Sequence, residues 1–336
     1  MPLRKLVRLD KPAGTFRRVL HDAYYDWTRE MPKGKRFITW VGYLMQGYAF
    51  YALLTRSLVW PVMWPKGMLL YASVVLLWTL GLGLQNWMLT SEFARKTQLE
   101  ADQIAARQIQ QTLQPQKLNE LPGYEVETFY QPFRDVGGDY FDVIELAGNR
   151  TLFAVADVSG KGMPAALLAA NIQALVRSIA NVEGDPLALA RQINKHLSRY
   201  TPSDRFATAV FLVLSHDSGE LTYVNAGHNA PIVFSGGSTT LLEATGVPLG
   251  LFSDAEYEAR VAVIPHGGGL LIFTDGLTDS IPGEDMASHL RSALADSSRR
   301  TMSSLKSLMD PTHNEDDVTI LLVKRTVDSI SSGARA

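Results

Sequence analysis

Four acidic positions could do chemistry together: Asp139 in VGGDYFD, Asp157 in VADVSGKG, Asp275 in FTDGLTD, and the pair Asp316/Asp317 in NEDDVTI. Each stands at the end of a run of strand-forming residues; Asp139 and Asp275 adjoin glycine, and Asp157 has one three residues on. Glycine beside a strand end lets the backbone turn sharply and approach a ligand closely. Carboxylates gathered from separate strands repel one another unless a cation lies between them. The chain has no cysteine, so a bound metal must be held by oxygen or imidazole. Hard divalent ions such as Mg²⁺ and Mn²⁺ take oxygen ligands of this kind. Two of them bridged by a water activate that water near neutral pH and neutralise a phosphoryl group. One Asp-Gly turn is only a turn. Four acidic spots together point to two-metal hydrolysis of a phosphoester.

The elements that must position these carboxylates begin at Leu121. Short runs separated by Gly, Pro and Asn read as strands: 124–130, 140–146, 151–158, 206–214, 221–227, 231–234, 259–264, 270–275 and 318–323. Helical spacing fits Pro164–Ala180 and Pro186–Tyr200, and a third helix is expected over Met286–Leu308. Strands come in consecutive groups and do not alternate with helices. That favours an antiparallel α+β body over a doubly wound one.

The stretches GGDYFD, ADVSGKGMPAALLAA, FATAVFLVL, YVNAGHNAPIVF, GVPLGLF, FTDGLTD and DDVTILLV, in this order, resemble the metal-dependent PPM (PP2C-type) protein phosphatases. They are similar in particular to the bacterial SpoIIE/RsbU branch, from about Ala105 to Lys324. The resemblance implies two antiparallel sheets packed face to face with helices outside, an αββα sandwich. It implies two Mn²⁺ or Mg²⁺ ions per site. Asp139 would bridge both, Asp157 and the Val158 carbonyl would serve one, and Asp275 and Asp316 would complete the other. Asp139 and Asp275 are thereby the expected catalytic pair. Asp317 is a further possible ligand, while Asp142 and Asp279 fall to scaffold or water binding. Arg134, five residues before Asp139, has the spacing of the family's phosphate-binding arginine. The wider family carries a histidine, proposed as general acid, where this chain has Ser159. The proton donor is therefore open between Ser159 and His228, and the latter alternatively orders its loop. Lys161 either orients phosphate or caps a helix. PHGGG (265–269) replaces the usual Pro-Gly-Asp before a strand. The implied activity is a protein-serine/threonine phosphatase. Its expected substrate is a small phosphorylated anti-sigma-factor antagonist or a similar regulatory protein. Two other readings compete. A pseudophosphatase would bind its partner without turnover, although all four acidic spots are present. A diguanylate cyclase is suggested by GGDYF, but Tyr140 stands where that chemistry needs an acid.

The first 90 residues are of another kind. Residues 1–36 carry ten Lys/Arg against four acids, a basic head on a chain of net charge −2. The net charge points to no polyanionic partner, and no nucleic acid is expected. Two uncharged apolar runs follow, Phe37–Thr55 and Met68–Thr90, each near the roughly 20 residues that a spanning helix needs. The first is the weaker, with Gly, Tyr and Gln inside it. All six tryptophans lie in this part, and Trp40, Trp60, Trp64 and Trp87 fall near the ends of the runs. Cations flank the outer ends more than the turn, so both termini are expected in the cytoplasm of a bacterial inner membrane. The basic head either contacts anionic lipid or only sets topology. Ser91–Leu118 reads as a connector helix starting at Ser91 and ending near Pro115. Its stripe of Leu99, Ala106, Ile109 and Leu113 fits a parallel homodimer, or packing on its own catalytic body. The expected organisation is a basic segment (1–36), a transmembrane hairpin (37–90), the connector (91–118), the phosphatase domain (119–326) and a disordered tail (327–336).

Overall fold

The computed structural model describes residues 33–57, 65–115, 121–133, 136–180, 182, 184–202, 204–281, 286–295, 301–310 and 316–326. Residues 1–32 of the basic head, the tail after Thr326, and Arg134 and Asp135 lie outside the described residues. The chain divides into two compact units, Met1–Ala101 and Asp102–Ala336.

In the first unit, α1 (Lys33–Ser57) carries the first apolar run and the start of α2 (Pro65–Leu113) carries the second. They meet through small and amide side chains. A Cβ added to Gly81 would lie 3.3 Å from the Gly42 carbonyl, and Gln46 Nε2 donates to Gln85 Oε1 at 2.6 Å. Small residues and interhelical amide bonds are what hold helices together where apolar burial gives no drive. Among the described residues, two helical stretches are long and apolar enough to cross a membrane, Ala72–Thr112 and Met163–Ala180. The second belongs to the other unit and buries Ala165, Ala169, Ile172 and Val176 in its core.

The connector is not a separate helix. Ser91 does not cap a new start; its Oγ donates back to Met88 O at 2.9 Å inside α2. No Gly or Pro stands between Gly83 and Leu113 to break the turn, so the helix simply continues.

The second unit holds two five-stranded antiparallel sheets. Its strands are β1 (Tyr124–Gln131), β2 (Tyr140–Leu146), β3 (Arg150–Val158), β4 (Ala207–Ser215), β5 (Glu220–Ala226), β6 (Ile232–Ser235), β7 (Ser238–Leu241), β8 (Arg260–Val263), β9 (Gly269–Phe273) and β10 (Val318–Arg325). The orders are β1-β10-β9-β6-β7 and β2-β3-β4-β5-β8. The sequence reading missed β7, whose STTL is short and mostly exposed and shows no apolar alternation. Period-two alternation then builds three layers of core. On β3, Phe153 and Val155 face the other sheet, among Leu212, Leu270, Ile272 and Leu321. Leu152, Ala154 and Ala156 face α3 (Met163–Ala180) and α4 (Pro186–Tyr200). On the far side, Leu271, Phe273 and Ile320 pack under α5 (Asp275–Asp279), α6 (Met286–Ala295) and α7 (Thr301–Leu308). The single helix expected over Met286–Leu308 is therefore described as two, α6 and α7, with 296–300 outside the described residues. The helix–sheet–sheet–helix sandwich matches the expected fold class.

Candidate active site

Asp139 lies one residue before β2 and is 4% exposed. Its Oδ2 accepts from Thr274 Oγ1 at 2.8 Å and from Thr319 Oγ1 at 2.5 Å. Thr274 follows β9 and Thr319 lies on β10, in the other sheet. One carboxylate thus joins the ends of both sheets. Sequence reasoning passed over both threonines, although each is next to or near an acidic spot, in FTD and DDVTI.

The loop before Asp139 is gripped on several sides. Asp317 Oδ2 accepts from Gly138 N at 2.6 Å, and its Oδ1 accepts from Phe133 N at 2.8 Å. Gln110, near the end of α2, donates from Nε2 to Gly137 O at 2.7 Å and accepts from Gly137 N at 3.1 Å. A Cβ on Gly137 would run into the Tyr130 hydroxyl and the Asp317 carboxylate, so only glycine fits. Both oxygens of Asp317 are thus engaged in holding the loop. Asp142 is spent elsewhere: it is 1% exposed and accepts from Arg177 Nε of α3 at 2.6 Å.

The other acidic positions arrive at the same rim. Asp157 is the penultimate residue of β3, and Val158, 2% exposed, ends the strand. The Val158 carbonyl lies 3.2 Å from where a Cβ on Gly138 would be, which brings the second motif against the first. Asp275 opens α5 directly after Thr274. Asp316 accepts from Asp317 N at 2.9 Å, and Lys161 Nζ stands 2.8 Å from its Oδ2.

Burial pushes the Asp139 carboxyl well above the usual range, and the Asp157 charge pushes it further, against the two threonine hydroxyls. Asp157 is pushed up to about 7, first by burial and then by Asp275, Asp316 and Asp317. Asp275 is raised by burial and by Asp316, and Asp317 by burial against the Phe133 and Gly138 N–H groups. These carboxylates therefore share one field. An all-oxygen anionic set of this kind fits hard divalent cations. As the side chains stand, no three acidic or histidine groups among the described residues close tightly enough to hold an ion. Lys161 supplies the positive charge at Asp316.

The remaining candidates fall out differently. Arg134 lies outside the described residues. Ser159 Oγ accepts from Phe206 N at 3.0 Å. His228 is 5% exposed, and burial holds its pKa down to about 4. Its Nδ1 pairs with Thr208 Oγ1 at 2.9 Å, and its N–H donates to Asn225 Oδ1 at 2.8 Å. That arrangement orders the NAGHNAP loop.

Known proteins share this architecture. Residues 147–326 match the family model Stage II sporulation protein E (SpoIIE). The chain is 26% identical over 209 residues to phosphoserine phosphatase RsbP of Bacillus subtilis, covering 59% of this chain and 52% of that one. It is 26% identical over 234 residues to phosphoserine phosphatase RsbU of Bacillus subtilis, covering 66% and 69%. The chain thus spans about half the length of RsbP. The SiaA-PP2C domain of Pseudomonas aeruginosa superposes with a TM-score of 0.58 at 21% identity, over 69% of this chain and 98% of that domain, which shows a shared fold. A family match over residues 147–326, more than half of the chain, places the chain in the SpoIIE family.

Proposed function

We propose that this protein is a membrane-anchored, metal-dependent serine/threonine protein phosphatase acting on a phosphorylated regulatory protein. The observation that carries the reading is Asp139, a buried carboxylate tied to both sheets, with Asp157 in its electrostatic field and Asp275 and Asp316 in that of Asp157. The naming of RsbP and RsbU as phosphoserine phosphatases supports the same reaction. In it, water adds to phosphorus, the P–O ester bond breaks, and the serine or threonine oxygen leaves with a proton.

Asp139, Asp157, the Val158 carbonyl, Asp275 and Asp316 are the groups that would hold two Mn²⁺ or Mg²⁺ ions. When bound, the ions supply an activated water and neutralise the phosphoryl group. The chain's own work is to hold these oxygens in register. Thr274 and Thr319 orient Asp139, and Asp317 fixes the loop in front of it. The substrate class is a small anti-sigma-factor antagonist or a similar regulator, and the apolar stretch of α2 is the membrane anchor.

The test is hydrolysis of phosphoserine proteins by the full chain with Mn²⁺. Asp139→Asn and Asp275→Asn are expected to abolish turnover while leaving the fold intact. Wild-type rates in either variant would refute the site. Two metals bound by calorimetry with no turnover of any phosphoserine protein would establish the pseudophosphatase reading instead.

A further inference from the structure

The loop after Asp157 holds an unusual exchange of hydrogen-bond partners. β3 and β4 run in register as far as Val158 opposite Ala207. The next pair is Ser159 opposite Phe206, where an antiparallel ladder would exchange two backbone bonds. One is made: Ser159 N donates to Phe206 O at 2.9 Å. The other is not made to the Ser159 carbonyl. Phe206 N donates to the Ser159 hydroxyl at 3.0 Å. The serine side chain thus stands in for its own carbonyl, and that carbonyl turns out of the ladder. Arg205 Nη1 captures it at 3.0 Å.

The chain can then turn at Gly160, whose φ of 93° is left-handed. A Cβ there would fall onto Arg205 Nη1, so the guanidinium occupies the space that a side chain would need. Arg205 is itself fixed at the entry to β4. Its N–H donates to Pro202 O at 2.9 Å, and Ala207 pairs on its other side with Leu249, at 3.0 and 2.8 Å. The SGKG turn carries the Val158 carbonyl on one side and Lys161 on the other.

We infer that Arg205 is a positioning residue for the candidate metal site: by holding the Ser159 carbonyl out of the β3–β4 ladder, it fixes the Gly160 turn by which the chain leaves the Val158 carbonyl. The inference rests on the proposed role of Val158 as a metal ligand. Without Arg205, the Ser159 peptide can swing back to Phe206 N and take the competing place of its own hydroxyl. The Val158 carbonyl, whose peptide N–H stays on Phe206 O, then lies at the end of a strand with no fixed turn after it. Partners behind a ligand of this kind typically change metal affinity by about 10–100-fold when removed.

The experiment is Mn²⁺ binding by calorimetry on the full chain in detergent or nanodiscs, with turnover measured in parallel. Arg205→Ala is expected to weaken Mn²⁺ binding about tenfold or more, with kcat recovering at saturating Mn²⁺. Arg205→Lys, which keeps the charge and one donor but not the planar group over Gly160, is expected to fall between the two and serves if the alanine variant does not fold. Wild-type Mn²⁺ affinity in the lysine and alanine variants overturns the inference. Unchanged Mn²⁺ affinity with a raised KM and weaker inhibition by inorganic phosphate also overturns it, because it makes Arg205 a phosphate contact. A wild-type chain that binds no Mn²⁺ overturns the metal reading itself, and the inference with it.

Discussion

The carboxamide of Gln110 engages both backbone groups of Gly137, donating to its carbonyl at 2.7 Å and accepting from its N–H at 3.1 Å. Gly137 lies two residues before Asp139, so a side chain near the end of α2 sets the loop that delivers this carboxylate. Each bond contributes roughly 1 kcal/mol. Gln110→Ala is expected to destabilise the second unit by about 1–2 kcal/mol and to raise the Mn²⁺ concentration needed for half-maximal turnover. Chemical denaturation and a Mn²⁺ titration of turnover measure the two effects. An unchanged Mn²⁺ requirement would mean that the loop holds its place without α2.

Thr319 makes the shorter of the two hydroxyl bonds to Asp139. Hydroxyl bonds to an ionised carboxylate are about twice as strong as neutral ones. Thr319→Val keeps the shape and the β-branched strand residue, and it removes only the donor. The expected result is a loss of about 10-fold or more in Mn²⁺ affinity with little change in melting temperature. Thr274→Val is predicted to be worse for stability. Thr274 Oγ1 also accepts from Thr319 N at 2.9 Å, and that N–H would be left buried without a partner.

Lys161 competes for Asp316. Its ammonium lies 2.8 Å from Asp316 Oδ2, with both side chains partly exposed. An exposed pair of this sort is worth no more than about 1 kcal/mol. Lys161→Gln should therefore tighten Mn²⁺ binding by up to about fivefold, read by calorimetry. A weakening would show that the ammonium helps to bring the ligand set together.

His228 predicts a pH dependence of stability. Burial holds its native pKa at about 4, against an ordinary value near 6.5. The native state therefore prefers the neutral ring. The stabilisation is fully present above pH 6.5 and is lost as pH falls from there through 4. Denaturation of the full chain between pH 7 and 4 should show this fall, on the order of 2–3 kcal/mol from this group. His228→Gln should flatten that part of the profile. If His228 only orders its loop, the same variant should keep kcat near pH 7.5 within a few-fold. A loss of a hundredfold or more would return it to the role of proton donor.

The proposed pairing of α2 is tested by single cysteines. The chain has none of its own, so each one introduced reports alone. Ile109 is 63% exposed in the single chain. Positions 106 and 109 should cross-link between copies in membranes if the stripe is a dimer seam, while positions on the opposite face should not.

Much of this protein was legible in its sequence. The strands of the second unit show because apolar residues alternate between two packed faces, and Phe153 and Val155 against Leu152, Ala154 and Ala156 leave a period that needs no structure to read. The acidic motifs show because an aspartate beside glycine at a strand end is local. At Ser91 sequence and structure differ, since the same hydroxyl that caps a helix can bond back inside one, and local sequence does not separate the two. Only the tertiary structure decided what each polar group spends itself on. Asp316 and Asp317 are neighbours in sequence, yet one faces Lys161 and the other holds the Gly138 loop from 179 residues away. Gln110, Arg205, Thr274 and Thr319 carried no signal of their own, because their roles come from partners brought near by sheet register and helix packing. Sequence sets which groups can bond; which ones do is set by the long-range pairing that brings donor to acceptor.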